Sequence, residues 1–407
     1  MVQNQSESVP ELRFKGFNDA WVQRKFEELL DTREGIRRGP FGSALKKDLF
    51  VDSSDYVVYE QQNAIYDQYE TRYNITEEKF NELKKFELIP GDYIMSGAGT
   101  IGRISEVPNG IKRGVFNQAL IRFRINPEVI NKDYFLTFMR GDIMQRKLTG
   151  ANPGSAITNL VPMSEVKKYD IAIPSVEEQA KIGLLLTTLD NLIAANQRKL
   201  EALKAKKKAY LERIFNQKLR FSGFTEPWIQ RKVGEMAEVN PKTTLPDEFE
   251  YVDLGAVIGT SLTGTQHEFK ATAPSRAQRL ASEGDVFYQT VRPYQKNNYL
   301  FENIDSTPFV FSTGYAQLRP QGNSYFLLTL LQDEKFVSQV MDRSTGTSYP
   351  AINSSDLGNM LVDIPTEAEQ TKIGGLFEKI DNLIAVNQKK IVLLQNQKAA
   401  YLQKMFI

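Results

Sequence analysis

Residue types that commonly carry catalysis or bind metals are scarce in this sequence. The 407 residues include no cysteine and one histidine, His267. The absence of cysteine excludes disulfides, thiolate metal sites and cysteine nucleophiles, and a single histidine excludes histidine-rich metal sites. A Ser-His-Asp triad would have to use His267, which lies in a polar stretch between Gln266 and Glu268. We therefore predict that His267 is a surface residue.

Two short motifs resemble ligand-binding signatures without meeting their requirements. Gly97-Ala98-Gly99-Thr100-Ile101-Gly102 matches the glycine-rich dinucleotide pattern, which also requires a helix that opens at the last glycine. Residues 103–107 alternate like a strand and stop at Pro108, so a tight hairpin is the better interpretation. Asn152-Pro153-Gly154 lacks the second proline and the aromatic residue of the amino-methyltransferase motif. We predict no catalytic residue and no metal ligand in this chain.

Cations, hydroxyls and aromatic residues gather locally in a way that is typical of DNA contact. Arginine and glutamine can bind guanine and adenine edges, whereas lysine and serine more often contact phosphates. The net charge of +1 gives no overall basic signature, so the hypothesis depends on this clustering. The candidates in the first half of the chain are Arg33, Arg37, Arg38, Ser43, Lys46, Lys47, Ser96, Arg103 and Ser155. Those in the second half are Ser275, Arg276, Arg279, Gln289, Arg292, Tyr294, Lys296, Asn297, Thr347 and Tyr349. A solvated loop is the alternative interpretation around Gly39–Ser43.

The segments that must position these residues occur twice. The stretch from Leu12 to Lys25, with Trp21, returns between Leu219 and Lys232 with Trp228, and these are the two tryptophans of the chain. The stretch from Gln179 to Phe215 returns from Gln370 to Phe406. The interiors share little beyond Gly91-Asp92 against Gly284-Asp285 and Ala156-Ile157 against Ala351-Ile352. A repeated frame with divergent interiors favours two sites that read different targets, and duplication for stability alone is the alternative.

Each repeated late stretch predicts one long helix. Ser175 with Glu178, and Thr366 with Glu369, are predicted capping boxes in which the glutamate binds back to the start of the helix. About 40 residues without proline follow, which corresponds to roughly 60 Å of helix. The apolar residues have heptad spacing, so we predict that the two helices form an antiparallel coiled coil. The predicted seam positions are Ile182, Leu186, Leu189, Ile193, Asn196, Leu200, Leu203, Lys207, Tyr210 and Ile214, and their counterparts from Ile373 to Met405.

Asn196 and Asn387 occupy equivalent seam positions near the midpoints of the two helices. In an antiparallel pair the midpoints meet. We therefore predict that these two amides approach each other and fix the helix register at some cost in stability. Exposure of both side chains to solvent is the alternative.

The interiors are predicted to be mixed α/β with an excess of strands. Short strands are expected over 56–59, 92–95, 119–123, 169–173 and 361–364, and short helices over 134–139 and 325–331. The fold class is therefore α+β, with two globular α/β domains joined by two long helices and a pseudo-two-fold internal repeat. The predicted order is a disordered tail at 1–10, a globular domain at 11–174, a helix at 175–217, a second globular domain at 218–365 and a distal helix at 366–407.

The combination of these motifs resembles the specificity subunit of type I restriction-modification enzymes over essentially the whole chain. The resemblance rests on the duplicated Phe-Gly-Phe…Trp opening, Gly39-Pro40-Phe41-Gly42-Ser43, Ser275-Arg276-Ala277, Val291-Arg292-Pro293 and the Pro-x-x-x-Glu-Gln…Asp-Asn-Leu-Ile helices. It implies a non-catalytic subunit whose globular domains are target-recognition domains. They would read the two halves of a bipartite, asymmetric duplex DNA site, and the helices would act as a spacer and as docking surfaces.

The resemblance also implies the partners of this chain. DNA adenine-N6 methyltransferase subunits, two of them, would carry S-adenosylmethionine, and restriction and translocase subunits would carry ATP, so no cofactor is expected here. No stretch is apolar enough to span a membrane and no secretory signal precedes the first domain, so we expect a cytoplasmic protein without a membrane partner. The alternatives are a self-contained enzyme that modifies or cleaves DNA and a coiled-coil scaffold that binds proteins.

Overall fold

The computed structural model describes residues 9–149, 160–302 and 307–407. The chain divides into two compact units. The first unit comprises Met1–Ala195 and Ile391–Ile407, and the second unit comprises Asn196–Lys390. Each unit therefore combines one globular part with a portion of each long helix. The domain boundaries given above stay a prediction.

The first unit contains nine short strands and five short α-helices among the described residues, followed by the start of a long helix. In chain order they are β1 (Val22–Lys25), β2 (Ile36–Arg38), β3 (Tyr56–Tyr59), α1 (Gln61–Tyr66), β4 (Tyr73–Ile75), α2 (Glu77–Glu82), β5 (Tyr93–Ser96), β6 (Ile104–Glu106), β7 (Arg113–Phe116), β8 (Leu120–Phe123), α3 (Lys132–Arg140), α4 (Asp142–Thr149), α5 (Met163–Val166), β9 (Asp170–Ile173) and the long helix α6 (Val176–Phe215).

The second unit follows the same plan with more strands. Its elements are β10 (Ile229–Lys232), α7 (Val233–Met236), β11 (Ala237–Val239), β12 (Glu248–Val252), β13 (Val257–Ile258), β14 (Ser261–Leu262), β15 (Gln266–Phe269), β16 (Ala277–Leu280), β17 (Val286–Gln289), β18 (Tyr299–Leu300), β19 (Phe309–Ser312), β20 (Tyr315–Pro320), α8 (Ser324–Leu330), α9 (Glu334–Arg343), α10 (Ser354–Gly358), β21 (Leu361–Ile364) and the start of the long helix α11 (Glu367–Lys404).

The two interiors share one sheet topology although their sequences share little. A four-stranded sheet has the order β2-β8-β5-β6 in the first unit and β11-β20-β17-β18 in the second. A second sheet contains the parallel pair β3 and β7 in the first unit and β12 and β19 in the second. The opening strand pairs with the strand before the long helix in both, β1 with β9 and β10 with β21. The predicted α+β class with an internal repeat is confirmed.

The glycine motif at residues 97–102 forms the predicted hairpin. It joins β5 to β6, which pair in antiparallel fashion. Gly99 and Gly102 have φ angles of 61° and 82°, a region that glycine adopts without the steric cost of a Cβ. No helix opens at Gly102, so the nucleotide-binding interpretation is excluded at this motif.

The long helices pair in antiparallel fashion within each unit. α6 has 40 residues and α11 has 38, and the apolar seam residues are buried or half-buried. In the first unit the beginning of α6 lies against the end of α11, where Lys398 Nζ is 2.5 Å from Asp190 Oδ1. In the second unit the end of α6 lies against the beginning of α11, where Lys207 Nζ is 2.6 Å from Asp381 Oδ1. These two ion pairs join equivalent residues of the two copies, and each seam lysine is neutralised by an aspartate beside the seam.

Asn196 and Asn387 are 8% and 4% exposed, so the solvent-facing alternative is wrong. Asn387 Nδ2 donates to the Leu383 carbonyl oxygen of its own helix at 2.6 Å. The approach of the two amides to each other stays a prediction. The two Lys–Asp ion pairs hold the register of this coiled coil, and the seam pattern did not predict them.

The capping-box prediction is half correct. Ser175 Oγ accepts a hydrogen bond from the Glu178 backbone N–H at 3.3 Å, as expected. The two glutamates do not reach back, because each is buried and binds an arginine of its opening segment. Arg13 donates to both oxygens of Glu178 at 2.8 and 2.6 Å, and Arg220 to both oxygens of Glu369 at 3.0 and 2.7 Å. A paired guanidinium satisfies a buried carboxylate better than one backbone amide does.

The main core of each unit joins its four-stranded sheet, the two helices that follow the sheet, and one end of each long helix. Trp21 and Trp228 occupy equivalent places in these cores. At one glycine in each copy, the long helix lies close to the start of the first helix after the sheet, which is α3 in the first unit and α8 in the second. A Cβ on Gly183 would lie 2.7 Å from the Tyr134 nitrogen, and one on Gly374 would collide with Asn323. The glycines therefore allow the helices to dock.

Gly374→Ala is expected to destabilise the second unit by about 1–3 kcal/mol, the usual cost of overpacking. The added methyl would meet the Asn323 side chain and lie 3.0 Å from the Phe326 nitrogen. Gly375→Ala is the matched control, because no atom lies within 4 Å of its Cβ position and alanine favours helix over glycine by about 1 kcal/mol. The midpoints of thermal unfolding should move in opposite directions. A Gly374→Ala midpoint equal to that of Gly375→Ala would contradict the close docking.

Candidate nucleic-acid interface

Three loops meet at one end of the four-stranded sheet in the first unit. The strand register sets this arrangement: β8 begins at Leu120 opposite Ser96, the last residue of β5. Gly39 N donates to the Leu120 carbonyl at 2.9 Å, and Gly97 N to the Ala119 carbonyl at 2.7 Å. We call this the first loop end. Its loops are residues 39–49, 97–103 and 117–119.

The first loop end presents cations and an aromatic ring to solvent. Gly39 lies so close to the Asn117 carbonyl that any Cβ there would collide with it, which explains the glycine before Pro40. The chain then turns outwards, and Phe41 is 90% exposed. The predicted residues that are exposed at this end are Arg38, Ser43, Lys46, Lys47 and Arg103. Phe41 was part of the quoted motif but not of the predicted site, and its position between proline and glycine is the signal that identifies it.

Among the described residues, the other predicted residues of the first unit are not exposed at the first loop end. Arg33 precedes β2 and lies at the opposite end of that strand. Arg37 donates to Glu34 at 2.9 Å. Glu34 also accepts from the buried Arg122, whose guanidinium lowers the pKa of the Glu34 carboxyl. Ser96 is buried, and its hydroxyl binds the Thr100 carbonyl and accepts from Arg103 N. Ser155 lies outside the described residues.

The second unit has loops at the corresponding end of its four-stranded sheet. Gln289, the last residue of β17, pairs with Tyr315 at the start of β20. Thr290 N donates to the Gly314 carbonyl at 3.0 Å, and Ile352 N donates to the Thr290 carbonyl at 3.1 Å. We call this the second loop end. Its loops are residues 290–298, 313–314 and 344–353.

Most of the exposed candidates of the second unit gather here. Thr313 N donates to the Arg276 carbonyl at 2.8 Å, which brings the exposed Ser275-Arg276 pair to the same turn. Tyr294 and Tyr349 are 49% and 63% exposed. The Arg292 guanidinium lies over the Tyr349 ring, 4.3 Å from its centroid. Thr347 is exposed in the same loop as Tyr349.

Three predicted residues of the second unit have structural contacts instead, and a fourth, Arg279, is half-buried. Gln289 is buried and donates to the Val291 carbonyl and to Gln295. Lys296 pairs with Glu334 at 2.7 Å. Asn297 Oδ1 accepts from Gly259 N at 2.8 Å. Burial lowers the pKa of the Arg279 guanidinium.

The described residues hold no cluster of three or more histidine, aspartate or glutamate side chains that could bind a metal ion. His267 lies on the surface, as predicted, with Nδ1 3.1 Å from Glu250 Oε1. Within the described ranges, no helix is long and apolar enough to cross a membrane.

Comparison with known proteins matches both copies to one family model, described as the type I restriction modification DNA specificity domain. The matches cover residues 19–205 and 213–396. Among relatives from Methanocaldococcus jannaschii, the type I restriction enzyme MjaIX specificity subunit is 22% identical over 362 residues, which are 82% of this chain and 80% of that protein. The MjaVIII specificity subunit is 20% identical over 312 residues, 70% of this chain and 72% of that protein.

The fold matches solved structures over nearly the whole chain. A crystal structure of a type I restriction-modification system S subunit from M. genitalium superimposes with a TM-score of 0.65 at 17% identity, covering 98% of this chain and 99% of that one. Similarity at this identity concerns the fold. The family matches extend through both copies and span most of the sequence. The chain therefore belongs to the family of type I restriction-modification DNA specificity subunits.

Proposed function

We propose that this chain reads a bipartite, asymmetric site on duplex DNA, one half with each unit, and has no catalytic activity of its own. The observation that carries the proposal is the equivalence of the two loop ends. Each lies at the corresponding end of its own unit's four-stranded sheet and presents exposed cations and aromatic rings. Their loops differ in length and sequence, so the two units have a common way of docking and different side chains for reading.

The chemistry of each loop end suits DNA. Lys46, Lys47 and Ser43 can neutralise or donate to phosphates, and Phe41 can contact a base or a thymine methyl group. Arg276 and the tyrosines of the second loop end add planar groups that stack or bind base edges. Phosphate contacts would fix the position of each unit, and the divergent residues would set the sequence that it reads.

We infer that partner subunits carry the chemistry. The relatives are specificity subunits of type I restriction enzymes, and one matched chain with a TM-score of 0.52 comes from a study of complex assembly in a type I system. Adenine-N6 methyltransferase subunits with S-adenosylmethionine would dock on the helices, two of them because α6 and α11 are equivalent. Restriction and translocase subunits would bring ATP. The assembly would act in the cytoplasm, where its DNA lies.

The helices are proposed to act as a spacer between the half-sites. At 1.5 Å per residue, α6 and α11 each extend for roughly 60 Å, which is more than the ~34 Å of one DNA turn. Two half-sites about one turn apart are therefore within reach.

Replacing Lys46 and Lys47 together with alanine should weaken duplex binding without changing the preferred sequence. Each lost phosphate contact should lower the slope of log affinity against log salt by about 0.9. Lys112→Ala is the control, because Lys112 is exposed and precedes β7, at the strand end opposite the first loop end. Titration of a fluorescent duplex at several salt concentrations measures both effects. An unchanged slope in the double variant would remove these lysines from the interface.

Deleting this chain from cells that keep its methyltransferase partner should abolish N6-methyladenine at one split motif. The DNA-binding subunit is lost while the methyltransferase subunit remains, and methylation at other motifs should be unchanged. Genome-wide methyladenine mapping with and without the chain measures this and gives the target and its spacer. An unchanged methylome, with partner expression verified, would favour a protein-binding scaffold. Methylation or cleavage of DNA by the purified chain alone would establish the enzyme alternative.

Removing one heptad from each helix, residues 197–203 and 388–394, should shorten the unread gap. Seven residues span about 10.5 Å of helix, which corresponds to about three base pairs. Removal of a whole heptad from both helices keeps the seam in phase. The methylation motif of the variant gives the new gap directly, and an unchanged gap in an active variant would refute the spacer role.

A further inference from the structure

Arg292 has a backbone conformation that arginine rarely adopts. Its φ and ψ angles are both 55°, in the left-handed region. A Cβ disfavours this region, and non-glycine residues are found there mainly where the surroundings enforce it. Arg292 also precedes Pro293, which restricts its backbone further. Such local strain concentrates at functional sites, because elsewhere a glycine would replace the residue.

The surrounding loops enforce this conformation. Arg292 N donates to the Pro350 carbonyl at 2.7 Å, and Gln295 N donates to the Arg292 carbonyl at 3.0 Å. The neighbouring Val291 is bridged to Ala351. Residues 290–298 and 344–353 thus hold each other, and Arg292 is fixed before any ligand arrives.

The Arg292 side chain is fixed as well, but its hydrogen-bonding capacity is unused. The guanidinium stacks on the exposed Tyr349 ring at 4.3 Å. Within the described residues it has no carboxylate partner and no hydrogen bond, unlike Arg220 and Arg319, each of which binds a buried carboxylate. A guanidinium that stacks through its face keeps its N–H edge free in the plane. This edge matches two acceptors that lie side by side.

Resting on the proposed function, we propose that Arg292 is the residue through which the second unit grips a planar pair of acceptors on duplex DNA, and that Tyr349 is its positioning residue. Two groups on DNA offer that chemistry: N7 and O6 of guanine in the major groove, and two oxygens of one phosphate. Arg292 is preorganised for either, because its backbone is fixed and its guanidinium lies over the Tyr349 ring. The strained backbone is retained because a glycine there would carry no guanidinium.

The test uses the full chain and a duplex that carries the motif identified by methylome mapping. Arg292→Ala should raise the dissociation constant roughly tenfold or more, as for loss of one bidentate pair. Arg292→Lys should lose most of the affinity as well, because an ammonium cannot donate as a fork. Tyr349→Leu should weaken binding several-fold, and Tyr349→Phe should restore most of it, because phenylalanine keeps the stacking face. Arg231→Ala, an exposed arginine of β10 in the same unit, is the control and should bind like the wild type.

A stability measurement separates this role from a structural one. Glycine adopts the left-handed region without strain, so Arg292→Gly should raise the midpoint of thermal unfolding while it lowers DNA affinity. A variant that loses binding because the loop is damaged would show a lower midpoint. A lower midpoint in Arg292→Gly, together with equal loss in Tyr349→Phe and Tyr349→Leu, would overturn the proposal.

Two further readouts distinguish the sources of the acceptor pair. If the pair belongs to guanine, methylation directed by Arg292→Ala should relax at one position of the motif. If it belongs to a phosphate, the motif should be retained and the salt slope should fall by about one. Wild-type affinity in Arg292→Ala, or loss of methyltransferase binding with DNA affinity intact, would overturn this inference but not the proposed function. A wild-type chain that neither binds the duplex nor directs methylation would instead refute the proposed function.

Discussion

A buried carboxylate at the start of each long helix is the constraint on which the frame of this protein depends. Glu178 and Glu369 are each about 1% exposed, and an unpaired carboxylate in such a place would cost several kcal/mol. Arg13 and Arg220 meet this need, because the Nε and Nη2 groups of each guanidinium donate to the two carboxylate oxygens. The opening segment must therefore lie at the start of the helix, and the strand that follows it pairs with the strand that precedes the helix. Each interior is held between these two strands.

A second duplicated ion pair holds the sheet within each interior. Asp92 accepts hydrogen bonds from Nε and Nη2 of Arg124, and Asp285 accepts from the same two groups of Arg319. Both aspartates are buried, and each also accepts a backbone N–H from the turn before its strand. The Gly-Asp dipeptides that the two interiors share thus mark the turn that leads into the central strand. The loops at the far end of the same strands carry neither of these duplicated ion pairs, so the contacts that hold each interior lie apart from the proposed recognition loops.

Much of the architecture could be predicted because its signals are local and periodic. Heptad spacing gives the two helices, and alternation ending at Pro108 gives the hairpin at residues 97–102. The partners of Arg13 and Lys207 could not be predicted, since they lie far away in sequence and only the folded chain brings them together. The candidate site was harder for a related reason. Gln289 is polar, which suggests exposure, but its side-chain amide donates hydrogen bonds within its own loop. Phe41 is apolar, yet its position between Pro40 and Gly42 leaves it exposed.

The charges of the seam explain why the helices run antiparallel. In a parallel pair of the two copies, Lys207 would face its equivalent Lys398, and like charges in a half-buried seam repel strongly. The antiparallel arrangement places each lysine against an aspartate from the beginning of the other helix. It also sets acidic helix starts beside basic helix ends, which suits the dipoles of both helices. The same choice gives each unit the beginning of one helix and the end of the other. Neither copy then completes its core alone, because the core of each unit contains residues from both long helices.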